Sequence, residues 1–200
     1  MNTLLVILAV AGAYLAGSIS SAIVVCRLMG LPDPRTTGSG NPGTTNVLRL
    51  GGKKAAAITL IGDVLKGLLP VLIVRFFVDS SPIILAAAGI AAFLGHVFPV
   101  LFRFQGGKGV ATAFGVIVGI SWPVGLAILA TWLLVAVLFR YSSLSALVAA
   151  ALAPFYMAYF TADPIHTGAI SSVVLVVIWR HRANIRNLLA GTEGKIGEKG

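Results

Sequence analysis

Apolar residues run along this chain in long blocks, separated by polar stretches of very unequal length. The blocks fall at about Leu4–Val25, Ala55–Val78, Pro82–Phe102, Val110–Phe139, Leu144–Phe160 and Ile165–Trp179. A helix needs about 20 apolar residues to cross a ~30 Å hydrocarbon layer, and most of the blocks approach or exceed that length. Backbone groups in lipid must be satisfied within their own segment, so every block is expected to be helical. Between them lie a long polar stretch, Arg27–Lys54, and a shorter one, Arg103–Gly109. Brief turns follow at Asp79–Pro82 and Thr161–Pro164, and a polar tail begins at Arg180.

The block Val110–Phe139 is too long for one crossing and too short for two complete ones. Trp122-Pro123 divides it, because proline disfavours helix continuation. Two short helices there put Arg103, Lys108 and Arg140 on one side, with Arg27, Arg35, Arg49, Lys53, Lys54 and the tail's Arg180, Arg182, Arg186, Lys195 and Lys199. Asp79 and Asp163, with Arg75 near them, fall on the other side. A single span would instead send the basic tail outside. The positive-inside rule therefore favours seven helical segments, with the N-terminus outside, the C-terminus cytoplasmic, and the fourth and fifth segments only partly crossing.

Composition supports this reading. Of 200 residues, 58% are hydrophobic and 10% charged, against about 25% charged in a soluble domain. So few charges cannot cover a small globule, and lipid must cover part of it. The fold class is all-α: a polytopic integral membrane protein with a single domain over residues 1–200. The surplus of 15 Lys+Arg over 6 Asp+Glu fits cytoplasmic loop charge, and no nucleic-acid partner is expected. Cys26 is the only cysteine, so no intrachain disulfide can form. The first block lacks a basic start and reads as a retained span rather than a cleaved signal.

Two polar loops carry candidate chemistry. The first reads Gly38-Ser39-Gly40-Asn41-Pro42-Gly43-Thr44-Thr45-Asn46-Val47-Leu48-Arg49. Its glycines permit positive φ, and successive backbone N–H groups in such turns form anion-binding concavities. Ser39, Thr45 and Asn46 add neutral donors, and Arg49 adds a planar cation suited to phosphate. The second reads Gln105-Gly106-Gly107-Lys108-Gly109, directly before an apolar block. It places backbone N–H groups, a helix N-terminus and one lysine together, which suits phosphate. It is not a P-loop, since the first glycine is missing at the required spacing and Gly109 stands where a magnesium-binding Ser or Thr would be. Lys108 has the alternative of a plain interfacial anchor.

Asp63 and Lys66 lie inside the second apolar block. Their i, i+3 spacing puts them on one helix face, as a structural ion pair or as part of a substrate site. His96, in Gly95-His96-Val97-Phe98-Pro99, is a satisfied structural group or a candidate base; His166 reads as structural. Ser18, Ser20 and Ser21 suit close helix packing. No HExxH, CxxC or clustered carboxylates occur, so neither a metal nor another cofactor is expected.

Taken in order, these motifs resemble the bacterial acyl-phosphate:glycerol-3-phosphate acyltransferases, membrane enzymes that make lysophosphatidic acid. The resemblance spans nearly the whole chain: Gly17-Ser18-Ile19, the SGNPGTTN…R loop, Asp63…Lys66-Gly67…Pro70, GHVFP, FQGGKGVAT, Arg140-Tyr141-Ser142-Ser143, and the tail RHRANIRNLLAGTEGKIG. Departures from the family pattern are Ser20 for proline, Thr44 for alanine, Gln105 for lysine and Ala183 for glutamate. The resemblance implies transfer of a fatty acyl group from acyl phosphate to the 1-hydroxyl of sn-glycerol 3-phosphate, with membrane lipid as the third partner. The active site would face the cytoplasm across a bacterial inner membrane. It further implies catalytic roles for Lys108, His96 and Asn46. Substrate binding would involve Ser39, Gly40, Asn41, Gly43, Thr45, Arg49, Gly106, Gly107, Ser142, His181, Asn184 and Glu193.

Acyl phosphate is an activated anhydride whose leaving group needs little proton donation. Catalysis can then rest on positioning and charge stabilisation, with His96 or a substrate phosphate oxygen taking the hydroxyl proton. Acyltransferases that use thioesters resemble a different family, marked by a histidine and an aspartate five positions apart. Five positions after His96, His166 and His181 stand Leu101, Ser171 and Arg186. The rival reading is a small transporter of a phosphorylated solute. Against it, the polar groups gather in loops rather than at mid-bilayer, where transporters bind.

Overall fold

The computed structural model describes residues 3–197, so Lys199 of the basic tail lies outside the described residues. Among these residues the secondary structure is helical, in two compact units that meet in sequence between Ile120 and Ser121. The first unit contains α1 (Thr3–Gly17), α2 (Ser21–Leu28), α3 (Thr44–Phe77), α4 (Pro82–Val97) and α5 (Val110–Ile120), with a short 3-10 turn over Val100–Phe102. The second contains α6 (Trp122–Phe139), α7 (Ser142–Thr161), α8 (Pro164–Arg180) and α9 (Arg182–Leu189). Four helices are long and apolar enough to cross a membrane, or five when the bent pair α1–α2 counts as one span. The chain is thus a multi-pass membrane protein.

All seven expected segments are helical, with four differences. The first is broken, its halves α1 and α2 bent by 46°. The break falls at Gly17-Ser18-Ile19-Ser20, where the Ser18 hydroxyl donates to the Tyr14 carbonyl at 2.9 Å. Second, α6 has 18 residues and is long enough to cross, whereas α5 has only 11. Third, the end of the long polar stretch is helical: α3 begins at Thr44 and kinks at Gly52, whose φ is 72°. That first piece forms because its Val47 is fully buried against Ala22, Val25, Cys26 and Ala55, while Thr45, Leu48 and Arg49 remain exposed. Fourth, the tail forms α9, which has no buried residue.

In the first unit, α3 packs against α5, and α1 against α4. The α3–α5 approach is close enough that a Cβ on Gly67 would run into the Thr112 backbone, and one on Gly115 into the Val64 backbone. Small residues at such crossings are how membrane helices gain contact where lipid removes the hydrophobic drive. In the second unit, α7 packs on both α6 and α8. Asp163 caps α8 by accepting the Ile165 and His166 amides, with Pro164 at the first helical position.

Candidate active site

The first loop is wound around one side chain. Asn46 is 1% exposed. Its Oδ1 accepts the Ser39 amide at 3.0 Å, and its Nδ2 donates to the Pro34 carbonyl at 2.9 Å and the Thr37 carbonyl at 3.0 Å. Gly38, with φ of 65°, passes so close that a Cβ would collide with the Asn46 oxygen. Only glycine combines that backbone with that approach. Upstream, the Arg35 guanidinium binds Asp33, with a shortest contact of 2.6 Å. The hydrogen bond from Arg35 holds the Asp33 carboxyl below the usual carboxylate range.

These bonds revise the nest expected of this loop. The Ser39 amide is directed inward to Asn46, and the Gly40 amide donates to the Thr37 carbonyl at 3.3 Å. What the loop offers outward is side-chain chemistry: Ser39 and Thr45 are exposed, as is Arg49 on the short helical piece before Gly52.

The second loop leaves α4 through the Val100–Phe102 turn and then two residues with left-handed backbone, Arg103 at φ 55° and Phe104 at φ 60°. It continues through buried Gly106 and Gly107 to half-buried Lys108, two residues before α5. A Cβ on Gly106 would meet the His96 and Val97 carbonyl oxygens. One on Gly107 would meet His96 Nε2 and, at 2.9 Å, the Pro42 carbonyl oxygen. Gly107 is therefore where the two glycine turns touch, with the His96 ring beside them.

His96 is 6% exposed, and its Nδ1 faces Asp63 Oδ1 at 3.7 Å. The same carboxylate oxygen contacts Lys66 Nζ at 2.8 Å, and that ammonium donates to the Ile19 carbonyl at 2.9 Å. The sequence reading separated the Asp63–Lys66 pair from His96; the structure joins them. The only signal for it in the sequence was the presence of charge inside an apolar block.

The second unit holds the remaining expected residues. Glu193 Oε1 accepts from Ser143 Oγ at 2.6 Å and from Asn184 Nδ2 at 2.7 Å. The Ile196 amide donates to the Arg140 carbonyl at 2.6 Å, and the Arg140 guanidinium donates back to the Ile196 carbonyl at 3.1 Å. The chain after α9 thus folds back on the α6–α7 junction, beside Ser142. His181 is 2% exposed with Nδ1 2.8 Å from the Val177 carbonyl. A carbonyl can only accept, so Nδ1 carries a proton. Sequence reasoning missed Ser143 and Arg140 as partners of the tail. Among the described residues, no group of three or more His, Cys, Asp or Glu side chains is placed to hold a metal.

The comparisons agree with one another. Residues 7–191 match the family model described as glycerol-3-phosphate acyltransferase. A glycerol-3-phosphate acyltransferase of Thioalkalivibrio sulfidiphilus is 60% identical over 190 residues, covering 95% of this chain and 93% of its own. Another from Halorhodospira halophila is 58% identical, covering 98% of both chains. Among solved structures, PlsY (YgiH), an integral membrane glycerol 3-phosphate acyltransferase in its glycerol 3-phosphate form, superposes with a TM-score of 0.91 at 39% identity, covering 96% of each chain. Its lysophosphatidic acid form gives 0.88. Together with the paired glycine loops, this agreement across sequence and fold means that the chain belongs to the membrane-integral glycerol-3-phosphate acyltransferase family.

Proposed function

We propose that this enzyme transfers a fatty acyl group from acyl phosphate to the 1-hydroxyl of sn-glycerol 3-phosphate, giving lysophosphatidic acid and inorganic phosphate. The observation that carries the reading is the meeting of the two glycine turns at Gly107 and Pro42, with Lys108 the next residue along. Both substrates bear phosphate, and two adjoining turns with Lys108 and Arg49 suit them. The family model extends through both units, which supports one acyltransferase domain over the whole chain. The relatives' names and the glycerol 3-phosphate and lysophosphatidic acid forms of PlsY support the acceptor and the product. The basic loops support an inner-membrane enzyme with its active site on the cytoplasmic side.

In this mechanism the acceptor hydroxyl oxygen attacks the acyl carbon. The bond from that carbon to the phosphate oxygen breaks, and phosphate departs with the electron pair. Lys108 and Arg49 hold phosphate and offset its charge. The hydroxyl proton passes to a substrate phosphate oxygen. His96 is buried, with one ring nitrogen toward Asp63 and the other edge against Gly107. Asn46 acts by shaping the first loop, since its amide is engaged by backbone groups. Ser39, Gly40, Asn41, Gly43 and Thr45 line the acceptor side, and Gly106 and Gly107 adjoin Lys108. Within the second unit, Ser142, His181 and Asn184 keep the substrate-binding role that the family motif implies, and Glu193 orders Asn184 and Ser143. A transporter would use the charges inside the spans, but Lys66 pairs with Asp63 and donates to the Ile19 carbonyl.

The test supplies purified protein in detergent with glycerol 3-phosphate and one acyl donor at a time. Release of phosphate and formation of lysophosphatidic acid are expected from acyl phosphate without added metal or nucleotide, with negligible product from acyl-CoA or acyl carrier protein. Efficient transfer from acyl-CoA with no acyl phosphate present would overturn the donor assignment.

A further inference from the structure

Asp63 and Lys66 are an uncommon investment for a membrane span. Charged groups there are costly and mark function or pairing. A buried pair contributes little net stability compared with apolar residues of the same shape. Packing alone does not account for it, and its contacts lead toward the site. Lys66 Nζ ties Asp63 to the Ile19 carbonyl, at the break between α1 and α2. Asp63 faces Nδ1 of His96, in the last turn of α4. The opposite edge of that ring and the His96 carbonyl are the surfaces against which Gly107 and Gly106 lie. All three charged or ionisable side chains are at most 9% exposed.

We propose that Asp63, Lys66 and His96 are positioning residues, a buried charged strut that holds the Gly106–Gly107 turn against the Asn41–Gly43 turn and so sets Lys108 for substrate phosphate. The strut rests on the acyltransferase reading for its substrate, and acts through the loop without touching the reacting atoms. It explains why alanine is excluded at Gly107. The turn is seated directly on the ring, and a methyl group would occupy the space of Nε2 and crowd the Pro42 carbonyl. It also explains the meeting of three elements, since Lys66 on α3 reaches both Asp63 and the Ile19 carbonyl at the α1–α2 break, and the Asp63 carboxylate faces His96 at the end of α4.

The test compares purified full-length Asp63→Asn/Lys66→Met and His96→Gln with the parent protein in detergent. Phosphate release gives KM and kcat, calorimetry gives glycerol 3-phosphate affinity, and thermal melting reports folding. Removing both charges together avoids leaving either one buried alone. Both variants are expected to raise KM for glycerol 3-phosphate, and to weaken its binding, by tenfold or more, with kcat changed less than threefold. That split is the mark of lost binding rather than lost chemistry. A double variant that keeps the parent's KM would overturn the proposal, since a purely structural pair predicts that result. A His96→Gln enzyme with collapsed kcat at unchanged KM would overturn it too, by making His96 the proton acceptor. Loss of the folded state in both variants would reduce the cluster to a stability element and equally refute it. The functional reading fails separately: a parent protein that binds glycerol 3-phosphate but releases no phosphate from acyl phosphate refutes the acyl transfer, and the binding measurements still decide the strut.

Discussion

Asn46→Asp changes one functional group and almost no volume, which makes it a sharp probe of the first loop. In the native side chain, Oδ1 accepts the Ser39 amide, and Nδ2 serves the carbonyls of Pro34 and Thr37. Aspartate keeps the first bond. It replaces the donor by an oxygen that faces two carbonyl oxygens, at positions now 2.9 and 3.0 Å from the amide nitrogen. Two hydrogen bonds are lost, and each leaves a carbonyl unsatisfied at a cost of about 1–2 kcal/mol. The sum is about 2–4 kcal/mol. If loop order is drawn on when phosphate binds, kcat/KM falls by roughly 30-fold to several hundred-fold. The assay is phosphate release at varied glycerol 3-phosphate, with calorimetric binding alongside. The loss is expected in binding as well as in kcat/KM. A folded Asn46→Asp enzyme within threefold of the parent would refute the loop account. Intact binding with a collapsed kcat would instead make Asn46 a chemical participant.

Lys108→Ala and Arg49→Ala are each expected to lower kcat/KM at least tenfold, since a charge-assisted hydrogen bond is worth about 1.5–3 kcal/mol. Lys53→Ala, at an exposed position just past the Gly52 kink, should leave turnover near the parent's; equal losses at all three positions would point to bulk charge rather than a site. Gly67→Ala forces a methyl group into the Thr112 backbone, and such overpacking costs about 1–3 kcal/mol. Its thermal unfolding should shift down by several degrees, and an unchanged midpoint would contradict the tight α3–α5 crossing.

The apolar blocks determined the order of the principal helices, because a segment in lipid has no partner for its amides except itself. The split of Val110–Phe139 was legible from Trp122-Pro123, and α6 begins at Trp122 with Pro123 in its first turn. The two glycine loops and their cations stood out because charge is scarce in so apolar a chain. Tertiary structure decided the rest. Thr44–Gly51 looks polar along the sequence, yet it is helical because Val47 finds a fully buried seat against α2 and Asn46 is buried as well. The break between α1 and α2 depends on a carbonyl at Ile19 whose partner, Lys66, lies 47 residues away. Asn46 reads as one more polar loop residue until its amide is seen to be engaged by Pro34, Thr37 and Ser39. Glu193 is likewise a tail carboxylate until Ser143 and Asn184 close on it. Hydrophobic periodicity reports which face of a segment meets lipid or protein. It carries no record of which distant polar groups meet, because those pairings are set by directional hydrogen bonds that exist only once the helices have packed.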